Sequence, residues 1–196
     1  MRPTYVSRAA ATLRGSGVNV ATVIAFPEGT APTASKIAEA QSAVAAGATE
    51  LDVVLNRGVL QARNHAAVSA ELAALREACP KSQLKLILET SALSEEEIRA
   101  ACELAYGAGW EYVKTSTGFC GRGASMNDVQ IMSAVAAKMQ SEASDKRVMK
   151  VKASGGIRTL ADARAMVGAG ASRIGASAGV KIVEEEKERD EQSEST

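Results

Sequence analysis

The sequence is poor in the residues that build metal centres and disulfide frameworks. Its 196 residues include one histidine, His65, and three cysteines, Cys79, Cys102 and Cys120. The cysteines have neither the spacing of a disulfide framework nor that of a zinc site, and a single histidine adds little to any ligand set. We therefore expect a protein of the reducing cytoplasm without a metal site.

The sequence also lacks an excess of charge and any long hydrophobic run. Lysine and arginine together number 23, as do aspartate and glutamate, and no basic stripe is present that would bind nucleic acid. No apolar run approaches the roughly 18 to 20 residues that cross a membrane, and the N-terminus has no hydrophobic signal-peptide core. We therefore expect a soluble protein whose partner is a small molecule rather than nucleic acid or a membrane.

Aromatic residues make up only 3% of the sequence, whereas alanine and glycine are abundant, as close packing of helices on a sheet allows. Short runs rich in valine, isoleucine and leucine are typical of buried parallel strands, and they cover residues 18–26, 50–55, 84–89, 112–116, 148–152 and 173–176. Alanine-rich segments with helical periodicity lie between them and cover residues 34–46, 65–79, 95–106, 126–139 and 160–167. This strict alternation predicts an α/β protein with a parallel sheet and right-handed crossovers.

A repeated glycine phrase favours a barrel over an open sheet. Gly47, Gly109 and Gly170 each stand between a predicted helix and the next predicted strand, where glycine supplies a left-handed C-cap. Such repetition is typical of equivalent units, so the expected fold class is the (β/α)8 TIM-barrel family. The chain is short for that fold, since eight units usually need about 250 residues.

Four predicted strands carry an ionisable residue that we assign to the C-terminal end of the strand, namely Asp52, Glu89, Lys114 and Lys152. In a barrel, the C-terminal ends of the strands mark the catalytic face, and burying a lone charge is costly. A structural ion pair is the alternative for any one of these residues. That alternative is less favoured for Lys114, Lys152 and Asp52 together, and these three are the predicted catalytic residues.

Two lysines and an aspartate in one barrel mouth suit Schiff-base chemistry. An amine attacks a carbonyl only when it is deprotonated, and a second cation together with desolvation lowers the pKa of an amine. Asp52 could exchange a proton with Lys152, directly or through water, and so supply general acid and base catalysis. The sequence therefore predicts carbonyl chemistry at a lysine.

Glycine-rich segments after the last two predicted strands indicate a phosphate site. The corresponding loops of a barrel commonly hold a phosphate on bare backbone N–H groups. The alternatives are a tight turn for the glycine pair and a helix N-cap for the serine. The candidate phosphate-binding residues are Thr117, Gly118, Gly155, Gly156, Gly175 and Ser177.

Five motifs occur in order over about residues 3–183: VIAFPEG at 23–29, ELDVV at 50–54, VKTSTGF at 113–119, KASGGIRT at 152–159 and RIGAS at 173–177. Together they resemble the deoxyribose-phosphate aldolase family, for which the KTSTGF string is highly specific. The resemblance implies a Schiff base on Lys114, a proton relay of Lys152 and Asp52, and phosphate binding by the six residues named above. It also implies reversible cleavage of 2-deoxy-D-ribose 5-phosphate to glyceraldehyde 3-phosphate and acetaldehyde in deoxyribonucleotide catabolism, with no metal or organic cofactor.

The resemblance is incomplete at the N-terminus. Residues 3–6 resemble the segment just after the family's second strand, so strands one and two, and the aspartate that the family carries on strand one, are expected to be missing. Six strands cannot close the usual eight-stranded barrel, and two open sheet edges predict self-association or a homodimer. We divide the chain into a barrel domain over residues 1–183 and an acidic disordered tail over residues 184–196.

Two alternatives stay open at this point. The chain could be another class I aldolase that acts on a different phosphorylated sugar. It could also be a catalytically inactive remnant of a barrel that serves as an interaction module through its open sheet edges.

Overall fold

A parallel sheet positions the candidate residues. The structure, a computed structural model, describes residues 1–144 and 147–194, and its six parallel strands lie side by side in chain order. The strands are β1 Ala21–Ile24, β2 Glu50–Val54, β3 Gln83–Ile87, β4 Tyr112–Lys114, β5 Lys150–Ser154 and β6 Arg173–Gly175. The α/β class and the six parallel strands predicted from the sequence are confirmed.

Helices connect the strands and pack on the outer face of the sheet. Within the described residues they are α1 Val6–Thr12, α2 Thr33–Ala45, α3 Arg57–Gln61, α4 His65–Ala78, α5 Glu95–Gly107, α6 Met126–Glu142, α7 Leu160–Gly168 and α8 Gly179–Glu194, with two short 3-10 helices at Pro3–Tyr5 and Thr90–Ala92. The five predicted helices are confirmed as α2, α4, α5, α6 and α7, with small differences at their ends. No helix among residues 1–144 and 147–194 is long and apolar enough to cross a membrane.

Two strands differ most in extent from the hydrophobic runs that predict them, and the others differ by one or two residues at an end. The run at 18–26 shortens to Ala21–Ile24, since Val18 is exposed and follows Gly17, whose backbone is left-handed with φ +75°. The run at 148–152 shifts to Lys150–Ser154, because Val148 is exposed and the strand continues to Ser154. The shifted strand pairs Lys152 directly with Lys114 on β4.

The sheet has an apolar outer face and a charged inner face. Along β2, Leu51 and Val53 belong to the hydrophobic core, whereas Glu50 and Asp52 are buried on the opposite face. The sheet is curled, since Nη1 of Arg173 on β6 lies 2.6 Å from Oε2 of Glu50 on β2. The result is a curled half-barrel whose concave interior carries the charged side chains.

The two outer strands of the sheet have different surroundings. The amino group of Met1 donates to the carbonyl of Ala21 on β1 at 3.0 Å, and the carbonyl of Met1 accepts from the N–H of Val23 at 3.2 Å. At the other side, β5 is the one strand hydrogen-bonded to β6 within the described part of the chain. Self-association through these edges stays a prediction.

The C-terminal segment differs from its prediction. From the sequence we expect a disordered tail over residues 184–196, whereas α8 continues through this segment to Glu194. Glutamate, lysine and arginine are good helix formers, and Nζ of Lys181 lies 3.5 Å from the carboxylate of Glu185 one turn later. Ile182 ties the start of the helix to the core. Residues 184–194 are therefore helical in the structure, while the disorder of this segment stays a prediction. Residues 195–196 lie outside the described residues, and the domain boundary at residue 183 stays a prediction.

The N-terminal cap of α5 gives a test of local stability. The hydroxyl of Ser94 accepts from the N–H of Glu97 at 3.3 Å, and the carboxylate of Glu97 accepts from the N–H of Ser94 at 2.7 Å. Because Ser94→Ala removes one acceptor of this capping box, we expect the free energy of unfolding to fall by about 1 kcal/mol. Urea denaturation measures the change. The matched control is Ser141→Ala near the exposed end of α6, for which we expect a change within about 0.5 kcal/mol. Equal losses in the two variants would contradict the capping role.

Candidate active site

Three lysine ammonium groups surround the carboxylate of Asp52 inside the half-barrel. Oδ2 of Asp52 lies 2.9 Å from Nζ of Lys114 and 2.8 Å from Nζ of Lys152, and it accepts a hydrogen bond from each. Oδ1 of Asp52 lies 3.0 Å from Nζ of Lys85. The side chains of Lys114 and Lys152 are 9% and 12% exposed, so both retain limited access to solvent. The structure therefore brings together the three residues that the sequence predicts to be catalytic.

The strand register explains this convergence. Lys114 on β4 is paired with Lys152 on β5, and Asp52 on β2 is paired with Lys85 on β3. Side chains that follow each other at every second position share one face of a strand, and this face is the concave one here. The curl of the sheet then brings β2 opposite β5, so Asp52 reaches Lys152 across the interior.

The electrostatic surroundings keep Asp52 ionised. Burial is the largest single effect on this carboxyl group, and alone it would raise the pKa of Asp52. The positive charges of Lys114, Lys152 and Lys85 together outweigh burial and hold the pKa of Asp52 well below its ordinary value. At neutral pH, Asp52 is therefore a negative acceptor shared by its lysine neighbours.

The pKa of Lys152 is lowered, chiefly because burial disfavours its charged form. The carboxylate of Asp52 opposes this lowering, while repulsion from Lys114 adds to it. A lysine with a lowered pKa gives up its proton more readily than an ordinary lysine. The hydrogen-bonded pair of Lys152 and Asp52 is therefore suited to proton exchange.

Lys85 and Glu50 belong to this charged interior, although the sequence analysis does not single them out. The side chain of Lys85 is fully buried, and its Nζ lies 2.5 Å from Oε2 of Glu50. Glu50 also accepts from Arg173 at 2.6 Å and from Asn19 at 3.0 Å. A signal for Lys85 exists in the sequence, because it interrupts an apolar run just as Lys114 does.

A cavity of about 440 Å³ opens beside Lys114, where β4, β5 and β6 end. Phe119 and Arg158 line it, and the sequence analysis does not name either as a candidate. All six predicted phosphate-binding residues line it as well, namely Thr117, Gly118, Gly155, Gly156, Gly175 and Ser177. The predicted nucleophile and the predicted anion site thus share one cavity, while the binding role of each residue stays a prediction.

Two of the glycines are required by the geometry of this cavity. Gly155 has a left-handed backbone with φ +86°, and a Cβ there would lie 3.0 Å from Cα of Gly123. A Cβ at Gly175 would lie 2.9 Å from Cβ of Ser154 and 3.1 Å from Cε of Lys152. Glycine therefore permits the turn at position 155, and at position 175 it leaves room for the side chain of Lys152.

Glu89 orients the loop that follows β4. It is fully buried, and its backbone is left-handed with φ 57°. Its carboxylate accepts from the N–H of Thr117 at 3.0 Å and also from the hydroxyl of Thr117. The hydroxyl of Thr117 in turn accepts from the N–H of Phe119 at 3.1 Å. Thr117 therefore lines the cavity with a hydroxyl that is already bonded within its own loop.

Asp128, at the start of α6, holds the same loop from the other side. Arg122 contacts the carboxylate of Asp128 at 2.5 and 2.9 Å, and the hydroxyl of Thr90 donates to it at 2.8 Å. Burial, the largest effect, would raise the pKa of Asp128, but the hydrogen bonds from Arg122 and Thr90 help to lower it below its ordinary value. The wall of the cavity thus rests on a buried ionised carboxylate.

The single histidine and two of the cysteines lie apart from the lysine cluster. His65 is exposed at the start of α4, and Cys79 and Cys102 are buried in the core. Cys120 lies part-exposed in the loop after β4. In the part of the chain that the structure describes, no group of three or more histidine, cysteine, aspartate or glutamate side chains could hold a metal ion.

The combination of a buried lysine cluster, a half-barrel and a glycine-lined cavity invites comparison with known proteins. Residues 1–185 match the family model described as DeoC/LacD family aldolase. The chain belongs to this aldolase family. The predicted enzyme class, a lyase of the aldolase type, is thereby confirmed.

Relatives of this DeoC/LacD aldolase are described as deoxyribose-phosphate aldolases. The one from Coccidioides immitis is 51% identical over 185 residues, which are 94% of this chain and 67% of that relative. The one from Rhodospirillum rubrum is 46% identical over 185 residues, which are 94% of this chain and 74% of that relative. A solved structure of a tetrameric deoxyribose phosphate aldolase from Aeropyrum pernix is 34% identical, with a TM-score of 0.83 over 95% of this chain and 75% of that one. The family resemblance and the barrel-type fold class are therefore confirmed.

The Asp128 cluster predicts a pH dependence of stability. A carboxyl group whose pKa is lower in the folded state stabilises the fold above its unfolded pKa of about 3.9, and this contribution is lost as the pH falls through the folded pKa. In Asp128→Asn, we therefore expect a lower free energy of unfolding at neutral pH and a weaker decline on acidification than in the parent protein. Urea denaturation across the acid range measures both. Glu142→Gln, at an exposed position of the same helix, is the control, and a decline in Asp128→Asn as steep as in the parent would refute the assignment.

Proposed function

We propose that this DeoC/LacD aldolase reversibly cleaves 2-deoxy-D-ribose 5-phosphate to glyceraldehyde 3-phosphate and acetaldehyde through a Schiff base on Lys114. One observation carries the proposal: Nζ of Lys114 lies beside the glycine-lined cavity and 2.9 Å from the Asp52 oxygen that also binds Lys152. The descriptions of the relatives support the choice of substrate.

The proposed reaction begins at the aldehyde carbon, C1. The amine of Lys114 adds to C1, and the resulting carbinolamine loses its hydroxyl as water to give an iminium ion. The C3 hydroxyl loses its proton, the C2–C3 bond breaks, and its electron pair moves toward the iminium nitrogen. Glyceraldehyde 3-phosphate leaves, and an enamine remains on Lys114. Protonation of the enamine at C2 and hydrolysis of the iminium release acetaldehyde and restore the amine.

Lys152 and Asp52 are proposed to move the protons. Lys152 supplies a proton to the departing hydroxyl of the carbinolamine, and its amine can later accept a proton from the substrate. Its lowered pKa and its 2.8 Å contact with Asp52 support this exchange. Asp52 stays ionised under the influence of its three lysine neighbours, so it stabilises the positive charges that appear on Lys114 and Lys152 during turnover.

The substrate phosphate is proposed to bind at the glycine loops after β5 and β6. Gly155, Gly156 and Ser177 line the cavity, and glycine leaves backbone N–H groups accessible to an anion. Arg158 lines the same cavity, and its guanidinium group would add a positive charge beside the phosphate. Binding the phosphate there holds the carbonyl end of the substrate toward Lys114.

The interior charges favour an enzyme over an inert interaction module. One ion pair would suffice for a structural role, whereas three lysines compete here for one buried carboxylate. Like charges that are close together and shielded from water destabilise the fold, and clusters of this kind are found mainly at functional sites. We propose that the reaction serves deoxyribonucleotide catabolism in the cytoplasm. Self-association stays a prediction that the tetrameric description of the Aeropyrum pernix relative supports.

Trapping of the imine tests the nucleophile. Borohydride reduces an imine to a stable secondary amine, so treatment with acetaldehyde and borohydride should add a two-carbon group at Lys114. Lys114→Arg should lose the adduct, because a guanidinium group stays protonated and cannot attack a carbonyl. Peptide mass spectrometry locates the modification, and Lys81→Arg at an exposed position is the matched control that should keep it. An adduct placed on Lys152 or Lys150 instead of Lys114 would refute the assignment.

Substitution in the glycine loop tests phosphate recognition. Gly156 has φ +78°, so Gly156→Val adds bulk and strains the backbone where the anion is proposed to bind. The ratio of kcat/KM for phosphorylated over non-phosphorylated deoxyribose should fall by about tenfold or more, which corresponds to the loss of one charged hydrogen bond. Gly168→Val, at a helix end with open space around it, is the control that should leave the ratio unchanged. A parental ratio in Gly156→Val would move the anion site elsewhere.

A further inference from the structure

Lys85 has no part in the proposed bond-making steps, yet it lies at the centre of the charged interior. Its side chain is fully buried, and its Nζ lies 2.5 Å from Oε2 of Glu50 and 3.0 Å from Oδ1 of Asp52. A buried ammonium group without a function is costly. The position of Lys85 between the carboxylates of Glu50 and Asp52 therefore indicates a role for its charge.

The two oxygens of Asp52 have different neighbours. Oδ2 accepts hydrogen bonds from Lys114 and Lys152, whereas Oδ1 faces Lys85. Because Asp52 and Lys85 are direct partners in the register of β2 and β3, the backbone fixes the side of the carboxylate on which Lys85 lies. The ammonium group of Lys85 beside Oδ1 keeps the carboxylate of Asp52 from rotating. Oδ2 therefore stays directed at Lys114 and Lys152.

Glu50 limits how strongly Lys85 attracts Asp52. Glu50 accepts from Asn19 at 3.0 Å and from Arg173 at 2.6 Å, which fixes its carboxylate beside Lys85. Lys85 is therefore shared between two anions and leaves part of the charge of Asp52 for the catalytic lysines. The charged or titratable groups that face this centre from the surrounding elements are Met1 (amino terminus), Glu50, Asp52, Lys85, Tyr112, Lys114, Lys152 and Arg173.

We propose that Lys85 is a positioning residue that directs Asp52 toward Lys114 and Lys152, and that Glu50 acts as the counter-charge which sets the strength of this effect. The part that concerns catalysis rests on the proposed function. The part that concerns the charge around Lys152 does not depend on it.

Removal of a nearby positive charge and removal of a nearby negative charge should shift the pKa of Lys152 in opposite directions. Without the cation of Lys85, its repulsion of the Lys152 ammonium group is lost and the charge of Asp52 is no longer shared with Lys85, so the pKa of Lys152 should rise. Without the anion of Glu50, Lys85 attracts Asp52 alone, so the pKa of Lys152 should fall further. A residue that merely filled space would give no such opposition.

Titration of Lys152 by NMR of lysine labelled with carbon-13 at Cε tests the proposal in the full chain. We expect Lys85→Met to raise, and Glu50→Gln to lower, the pKa of Lys152 by roughly half a unit or more relative to the parent. Lys36→Met is the matched control, since Lys36 is equally buried but pairs with Glu71 at 2.6 Å outside the half-barrel. Lys36→Met should leave the pKa of Lys152 unchanged even if the free energy of unfolding falls.

A second variant of Lys85 and measurements of kcat separate a failure of this proposal from a failure of the proposed function. Should Lys85→Met fail to fold, Lys85→Gln removes the same charge but places a polar amide near the two carboxylates, and the same rise is expected. In an active parent, the pH of half-maximal kcat should move with the Lys152 titration, and kcat should fall by about tenfold in Lys85→Met with little change in KM. Titrations that coincide in the parent, Lys85→Met and Glu50→Gln, or that shift in one direction in both variants, would overturn the proposal. Absence of an imine adduct on Lys114 in the parent would instead contradict the proposed function alone.

Discussion

The carboxylate of Asp52 is the interaction on which the site depends. One of its oxygens binds two lysines at 2.8 and 2.9 Å, and the other faces a third at 3.0 Å. Ammonium groups buried without a counter-charge repel one another and lose their hydration, which costs several kcal/mol for each. The lysines of β3, β4 and β5 therefore share the carboxylate of Asp52, which β2 supplies. The order of these strands in the sheet and the chemistry at their ends cannot change independently.

The wall of the cavity depends on a second set of buried polar contacts rather than on apolar packing. Glu89 binds the backbone and the hydroxyl of Thr117, and Asp128 binds Arg122 and the hydroxyl of Thr90. The shape of a loop held by buried carboxylates depends on these hydrogen bonds, because a buried polar group that loses its partner is costly. The loop after β4 is thus shaped by the same kind of force that gathers the lysines.

The strands and the convergence of the candidate catalytic residues could be predicted from the sequence for a simple reason. Buried parallel strands require apolar runs, and a lysine inside such a run is so costly that Lys114 and Lys152 stand out. Lys85 satisfies the same criterion, but it lies near the start of the predicted run 84–89, and its importance appears only when Asp52 is seen beside it. Glu50 could not be identified, because its contact with Arg173 exists only when the sheet curls.

The short and terminal helices show a different limit. Helix α3 has five residues, too few for a periodic pattern, and it begins at an Asn56 cap that accepts from Val59 at 3.4 Å. Helix α8 is mostly charged, so hydrophobic periodicity cannot reveal it, and its order follows from helix propensity and from Ile182 as an anchor. Pattern analysis detects burial, and these helices bury little.

The arrangement of three neighbouring strands has a consequence for the length of the molecules that the cavity accepts. Lys114 ends β4 and Gly175 ends β6, with the Lys152 strand between them, and adjacent strands are about 4.8 Å apart. The distance between the backbone of Lys114 and the glycine loops is therefore set by the hydrogen bonds between strands. With a carbonyl at Lys114 and a phosphate at these loops, as we propose, a ligand with one carbon fewer between the two groups would reach one end of this distance but not both. A different length of carbon chain would then require a different strand register.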